Sequence, residues 1–261
     1  MTEMTETDVY APGKPIWVDL ASSDLEGTKR FYSALFGWEA QVVPDPDAGG
    51  YGFFTQNGKR VAGFGPTMAP GQPTAWSTYI GTDDADATAA RVREAGGQVI
   101  VDPMDVFEEG RMAVFTDPTG AFISVWQPRA MRGADLVNEP VSLAWNELAT
   151  RDMNAAKAFY THVFDWGTHD SPFGDGGTYT EWQIDGRSIG GGYDMSGMMP
   201  EAVPPHWLSY FAVENVDSTV ARAQELGGEV LTPPADIPGM GRFAVLRDPQ
   251  GGSFALFQGQ Q

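Results

Sequence analysis

The sequence predicts an α+β protein made of four βαβββ modules paired into two domains, each a curved mixed sheet forming a cup with helices outside. Three observations predict it. The phrase "WVDLASSDLEGTKRFYSALFGW" (Trp17–Trp38) returns 128 positions later as "WNELATRDMNAAKAFYTHVFDW" (Trp145–Trp166). The stretches Ala75–Val106 and Gly110–Gln127 return as His206–Ile237 and Gly241–Gln258, at an offset of 131, so the loop before His206 gained three residues. Within each half, period-two apolar alternation gives way to a helical stripe and then to short strands, and this order runs twice.

The duplication divides the chain into an acidic tail over residues 1–10, a first domain over 11–128, the linker "RAMRGADLVNE" over 129–139 and a second domain over 140–261. A repeat of about 120 residues is domain-sized, far longer than a solenoid unit.

The elements follow in order. Ile16, Val18 and Leu20 point one way and Trp17 and Asp19 the other, which makes a strand with two differently used faces. Ser23-Asp24-Leu25-Glu26 reads as a capping box opening a helix. Its buried stripe is Leu25, Thr28, Tyr32, Leu35 and Phe36, and Gly37 ends it. The second copy offers Met153, Ala156, Tyr160, Val163 and Phe164. Short strands are expected near Trp38–Val43, Tyr51–Gln56 and Arg60–Phe64. A second strand (Trp76–Ile80) and helix (Asp84–Ala95, closed by Gly96-Gly97) follow, with strands near Gln98–Val101, Met112–Phe115 and Phe122–Trp126. Asp117-Pro-Thr-Gly and Asp248-Pro-Gln-Gly have the residue pattern of tight turns.

Composition narrows the function. The formal charge is −19, from 35 acidic and 16 basic residues, and it argues against nucleic acid, whose phosphates need a basic face. It suits a cationic ligand, or simply a solvated acidic surface. The absence of Cys excludes disulfides, thiolate ligands and a cysteine nucleophile. No apolar run reaches the roughly 20 residues of a membrane helix, and the polar, acidic N-terminus lacks the form of a secretory signal. The expectation is a cytoplasmic monomer or homodimer whose partner is a small molecule.

The segments "SDLEGTKRFYSALFGW" and "AVFTDPTGAFISVWQ", and the phrase from Trp145 to Trp166, resemble the vicinal oxygen chelate superfamily, which includes glyoxalase I, extradiol dioxygenases, fosfomycin-resistance enzymes and bleomycin-resistance proteins. The likeness is to its two-domain, glyoxalase-related members. It implies that each pair of modules curls into an eight-stranded cup around a ligand. It also implies a divalent metal on the cup floor, held by His, Gln and Glu. The corresponding positions here are Trp17, Gly63, Ser77 and Ser124 in the first domain, and Trp145, Gly191, Leu208 and Ala255 in the second. None is an imidazole or a carboxylate, and a one-residue slip exposes only Val18, Thr78 and Ile123. The expectation is therefore a protein with no metal ligands and no cofactor.

Other side chains on that face become the candidates. Asp19 and Glu147, each two residues after an indole, with Tyr79 and Tyr210, are the candidate catalytic groups. The alternative for the acids is a structural carboxylate satisfied by backbone amides or by Ser22 and Thr150. Trp17, Gly63, Ser77, Phe122, Ser124, Trp126, Trp145, Gly191, His206, Leu208 and Phe257 are the candidate ligand-binding positions, with Ser253 beside them. Glycines within "VAGFG" and "IGGGY" mark either room for a ligand or a bend in the sheet. Arg111 and Arg242 stand at matching strand starts, for an anionic ligand or a surface ion pair. Met68, Met195, Met198 and Met199 form either an adaptable lid or a cap on the core. Three functions follow: a metal-free binder of aromatic or apolar molecules, like the bleomycin-resistance branch; a glyoxalase-related enzyme using carboxylate and tyrosine acid–base chemistry; or a protein in which one cup, or both, is only structural and which works through its surface.

Overall fold

The computed structural model describes residues 11–174 and 176–260; the acidic tail expected over residues 1–10 lies outside them. The first repeat runs β1 (Pro15–Ser22), α1 (Leu25–Phe36), β2 (Glu39–Val42), β3 (Gly52–Gln56) and β4 (Lys59–Pro66), then β5 (Ala75–Gly81), α2 (Ala85–Glu94), β6 (Gln98–Val106), β7 (Gly110–Thr116) and β8 (Phe122–Pro128). The second runs β9 (Leu143–Thr150), α3 (Met153–Phe164), β10 (Gly167–Phe173), β11 (Gly177–Ile184) and β12 (Arg187–Asp194), then β13 (His206–Ala212), α4 (Val216–Glu225), β14 (Glu229–Ile237), β15 (Gly241–Arg247) and β16 (Ser253–Gly259). These are the four βαβββ modules. Two eight-stranded mixed sheets result, in the orders β2-β3-β4-β1-β5-β8-β7-β6 and β10-β11-β12-β9-β13-β16-β15-β14. Within each module the first strand runs parallel to the last, as β1 does to β4 and β9 to β12, and the remaining pairs are antiparallel hairpins.

Each helix begins on a side chain that accepts the N–H three residues on: Asp24 from Gly27, Asp84 from Ala87, Asp152 from Ala155 and Asn215 from Ser218. The capping box expected at Ser23 is thus displaced by one residue. Asp24 takes the cap, while the Ser23 hydroxyl lies 3.4 Å from that of Thr74.

Two compact units gather the apolar side chains. One comprises residues 18–77, 134–144 and 208–260, the first module together with the fourth. The other comprises residues 11–17, 78–133 and 145–207, and joins the second module to the third. In the first of these, Tyr32 is encircled by Trp38, Phe54, Trp76 and Phe254 at ring-centroid distances of 5.4–6.0 Å. In the other, Tyr160 stands among Trp166, Trp182 and Trp207 at 5.3–5.4 Å. Phe31 and Phe159 are also fully buried, although the helical stripe points to half-buried Leu25 and Leu35 instead.

These tyrosines are hydrogen-bonded as well as packed. Trp76 Nε1 donates to the Tyr32 hydroxyl at 3.0 Å, and that hydroxyl donates to Asp248 Oδ2 at 2.8 Å. Trp207, Tyr160 and Asp117 repeat the chain at 2.8 and 2.9 Å. Burial, together with the adjacent carboxylate charge, pushes both phenols well above their ordinary pKa, so they stay protonated donors. The other oxygen of each aspartate accepts the backbone N–H groups of its own Asp-Pro-x-Gly turn. The turn sequence therefore secures a core tyrosine as well as reversing the chain.

Candidate functional site

The sharpest polar cluster lies on three adjacent strands of the second repeat. Glu147 on β9 is half-buried, and its Cα partner on β12 is Gly191. Tyr179 on β11 is paired with Tyr193 of β12, two residues beyond that glycine. To meet Glu147 it must cross about two strand spacings, roughly 10 Å. It does so. Its hydroxyl donates to Glu147 Oε2 at 2.8 Å and accepts from Trp145 Nε1 at 2.9 Å.

The glycine makes this crossing possible. A Cβ on Gly191 would stand 2.0 Å from the Tyr179 oxygen. The gap on the strand is filled by a tyrosine, which is neither of the expected explanations, ligand room or a sheet bend. Burial first, and then the charge of Glu147, raise the pKa of both Tyr179 and Tyr193. Tyr179 therefore remains a neutral donor to an acceptor carboxylate. Phe173 packs at 5.8 Å from Tyr179 and 5.5 Å from Tyr193. Met195 is fully buried in this cluster and Met199 packs against it, so these two methionines cap a core, whereas Met68 and Met198 are exposed.

The first repeat echoes the arrangement. Asp19 on β1 is the Cα partner of Gly63 on β4. The Tyr51 hydroxyl donates to Asp19 Oδ2 at 3.2 Å, and a Cβ on Gly63 would lie 2.2 Å from that hydroxyl. The two indoles differ: Trp17 is 2% exposed, whereas Trp145 is half-buried.

The remaining candidates divide by accessibility. Tyr79 and Ser124 are register partners and both buried, and Tyr210 and Ala255 form the equivalent buried pair. Trp126 is buried with its N–H donated to the Met131 carbonyl at 2.8 Å. Leu208 is buried too, whereas Ser77, Ser253 and Phe257 are half-buried. Phe122 is 60% exposed at the start of its strand. His206 is half-buried, and its Nδ1 lies 2.9 Å from the Pro204 carbonyl. His162, which has no partner visible in the sequence, stands 3.8 Å from Glu94. Ser22 and Thr150 serve their own helix starts: Ser22 Oγ accepts from the Asp24 N–H and Thr28 Oγ1, and Thr150 Oγ1 from the Asp152 N–H.

Arg111 and Arg242 make duplicated surface forks. Arg111 grips Asp86 at 2.8 and 3.0 Å and Asp105 at 2.9 Å. Arg242 holds Asp217 at 2.7 and 2.9 Å and Asp236 at 2.8 Å. A hollow of about 440 Å³ in the unit of the second and third modules is lined by Arg91, Asp165 and Asp185. Arg91 is already engaged there by the His162 carbonyl and Asp165, and Glu147 is not among the lining residues.

The donor set does not fit the divalent metal that the resemblance implies. Among the described residues no three His, Cys, Asp or Glu side chains converge as ligands. At Gly63 and Gly191 a phenol stands where a ligand side chain would begin. Tyr51 and Tyr179 are the two functional candidates that sequence reasoning missed. The signal was present, since they are 128 positions apart in matching places, each followed at the same distance by its glycine.

The model of the Glyoxalase/Bleomycin resistance protein/Dioxygenase superfamily matches residues 14–125 and again 142–256. The chain belongs to this superfamily. The anthracycline biosynthesis protein DnrV of Streptomyces peucetius is 43% identical, over 95% of this chain and 94% of its own. "Putative glyoxylase CFP32" of Mycobacterium bovis is also 43% identical, over 98% of each chain. Among solved structures, 2,2',3-trihydroxybiphenyl 1,2-dioxygenase from Sphingomonas wittichii superposes with a TM-score of 0.66 at 15% identity, covering 96% of this chain and 92% of that one. The Mn(II)-bound glyoxalase of Novosphingobium aromaticivorans gives 0.64 at 19%, covering 95% and 82%. At such identities the superfamily members share the fold, and chemistry has to be argued from the residues. No helix among the described residues is long and apolar enough to cross a membrane.

Proposed function

We propose that the protein binds a small, planar aromatic molecule without a metal, at the second-repeat cluster of Trp145, Glu147 and Tyr179. The observation that carries this is the Tyr179–Glu147 hydrogen bond across Gly191, a polar anchor built where a superfamily metal ligand would stand. An accessible indole beside a fixed carboxylate suits a flat ligand with a polar edge. The similarity to DnrV supports this reading, because anthracyclines are fused planar ring systems.

A glyoxalase-related enzyme is the second reading, favoured by the resemblance to CFP32 and by the carboxylate–phenol pair itself. Glu147 would then act as the base and Tyr179 as the donor to a developing oxyanion.

Tryptophan-fluorescence titration with 2-hydroxyanthraquinone tests the first reading. Saturable quenching is expected in chelator-treated protein, most of it lost in W145F. Absence of quenching without added Mn(II) or Zn(II), and its return with either ion, overturns the metal-free reading. Turnover of methylglyoxal by metal-depleted protein, abolished in E147Q, selects the enzyme instead.

A further inference from the structure

Strand β12 carries a phenol whose hydroxyl the fold leaves open. Position 191 and Tyr193 lie on one face of that strand, and the Cα partners of Tyr193 are Ala149 on β9 and Tyr179 on β11. Glu147, the partner of Gly191, stands on the same face, so Tyr193 borders the proposed binding cluster.

Packing fixes the ring. Tyr193 is 8% exposed, lies 5.5 Å from Phe173 by ring centroids and shares a cluster with Ala149 and fully buried Met195. The hydroxyls of Tyr32, Tyr51, Tyr160 and Tyr179 each donate to a carboxylate. The Tyr193 hydroxyl makes no hydrogen bond among the described residues. It is not sealed either, since the side-chain polar atom found both buried and unpartnered among those residues is Gln250 Oε1. A held ring with an open O–H is a donor awaiting an acceptor, because a polar group at the edge of a core is costly to leave unsatisfied.

The surroundings decide which acceptor. Burial, and then the Glu147 charge, raise the Tyr193 pKa, so the hydroxyl keeps its proton at neutral pH. The same negative charge repels a carboxylate or a phosphate. A neutral acceptor remains, and on a flat ring system the strong neutral oxygen acceptor is a carbonyl. The first repeat cannot offer this donor. Its residue 128 positions earlier is Gly65, where a Cβ would lie 2.9 Å from Tyr51 Cδ2.

We infer that Tyr193 is the specificity-determining residue of the second-repeat site: its open hydroxyl donates to a neutral carbonyl oxygen of the ligand, so the site selects quinones and aryl ketones. This inference rests on the binding reading above and adds to it the chemical class of the ligand.

The test sets 2-hydroxyanthraquinone against 2-hydroxyanthracene, which keeps the fused rings and the hydroxyl and lacks both carbonyls. Equilibrium dialysis with chelator-treated, full-length protein reads both dissociation constants in wild type and in Y193F, which removes one oxygen and keeps the ring. Y193F is expected to weaken the quinone about three- to tenfold, the worth of a neutral hydrogen bond, and to leave the anthracene affinity unchanged. Its thermal midpoint is expected to match wild type, because no hydrogen bond among the described residues is lost. The carbonyl stretch of the bound quinone, read by infrared difference spectroscopy, is expected at lower wavenumber in wild type than in Y193F. Equal weakening of the two probes, or no change in either, overturns the recognition of a carbonyl and leaves the binding reading intact. An identical carbonyl stretch in the two proteins overturns it as well. Failure of wild type to bind either probe overturns both readings together.

Discussion

The hydroxyl of Tyr32 donates to Oδ2 of Asp248 across 2.8 Å, although the two residues stand 216 positions apart in the chain. One belongs to the first module and the other to the last, so this bond helps to close the core those modules share. Y32F removes the donor to a buried carboxylate and leaves the Trp76 N–H without its acceptor. A loss of about 2–3 kcal/mol is expected, read from the urea midpoint at unchanged slope. Y160F should behave alike, since it stands in the same relation to Asp117 and Trp207. A loss below about 0.5 kcal/mol, the ordinary range for surface changes, contradicts the assigned role.

Asp248 also makes stability depend on pH in an uncommon direction. Burial raises its pKa, against the lowering effect of Tyr32 and of the turn's own amides. The folded chain therefore holds that proton more tightly than the unfolded chain, whose value is about 3.9. Its contribution is greatest at low pH and falls as pH rises through the elevated folded pKa. D248N removes the titration. The stability of wild type relative to D248N is thus expected to be higher at pH 4 than at pH 7, and a constant difference rules the assignment out.

The arginine forks act in the opposite sense. Hydrogen bonds from Arg111 hold Asp86 and Asp105 below the usual carboxylate range, and Arg242 does the same for Asp217. Their contribution is present above about pH 4 and is lost as pH falls through the depressed folded values. The double variant R111Q/R242Q should therefore trail wild type at pH 7, and the gap should close toward pH 3. Because the forks are exposed, 1 M salt should narrow the gap as well. A gap indifferent to both variables sinks the argument.

G191A places a methyl where the Tyr179 hydroxyl lies. The expected outcome is a displaced ring and a stability loss of about 1–3 kcal/mol from overpacking. G63A should cost a similar amount, through Tyr51 and the Asp19 side chain. Pairing G191A with Y179L should restore much of the loss, because the clash and the hydrogen bond then disappear together. Additive losses in the double variant exclude the proposed contact.

Much of this was legible beforehand and some was not, for identifiable reasons. The offsets of 128 and 131 made the four modules visible, and the two sheets follow them strand for strand. Local chemistry also located the helix starts, to within the one residue that separates Ser23 from Asp24. The partners of Asp19 and Glu147 escaped because period-two alternation ranks residues along a strand and says nothing of a ring reaching diagonally over its neighbour. Tyr51 and Tyr179 look like ordinary strand aromatics until the missing side chains at Gly63 and Gly191 are placed beneath them. Tyr32 and Tyr160 read correctly as core, but their tie to the Asp-Pro-x-Gly aspartates did not. The turn pattern by itself accounts for an aspartate at that position.

The saddle at Gly191 also bears on how this lineage can change. Installing a glutamate or histidine there in one step drives the new side chain into the phenol above it, and trimming the phenol first removes the hydrogen bond that Tyr179 donates to Glu147. Either first move carries a penalty that only the second relieves, so the substitutions are epistatic. A cation-gripping side chain at this position is therefore ratcheted out until both changes are made at once.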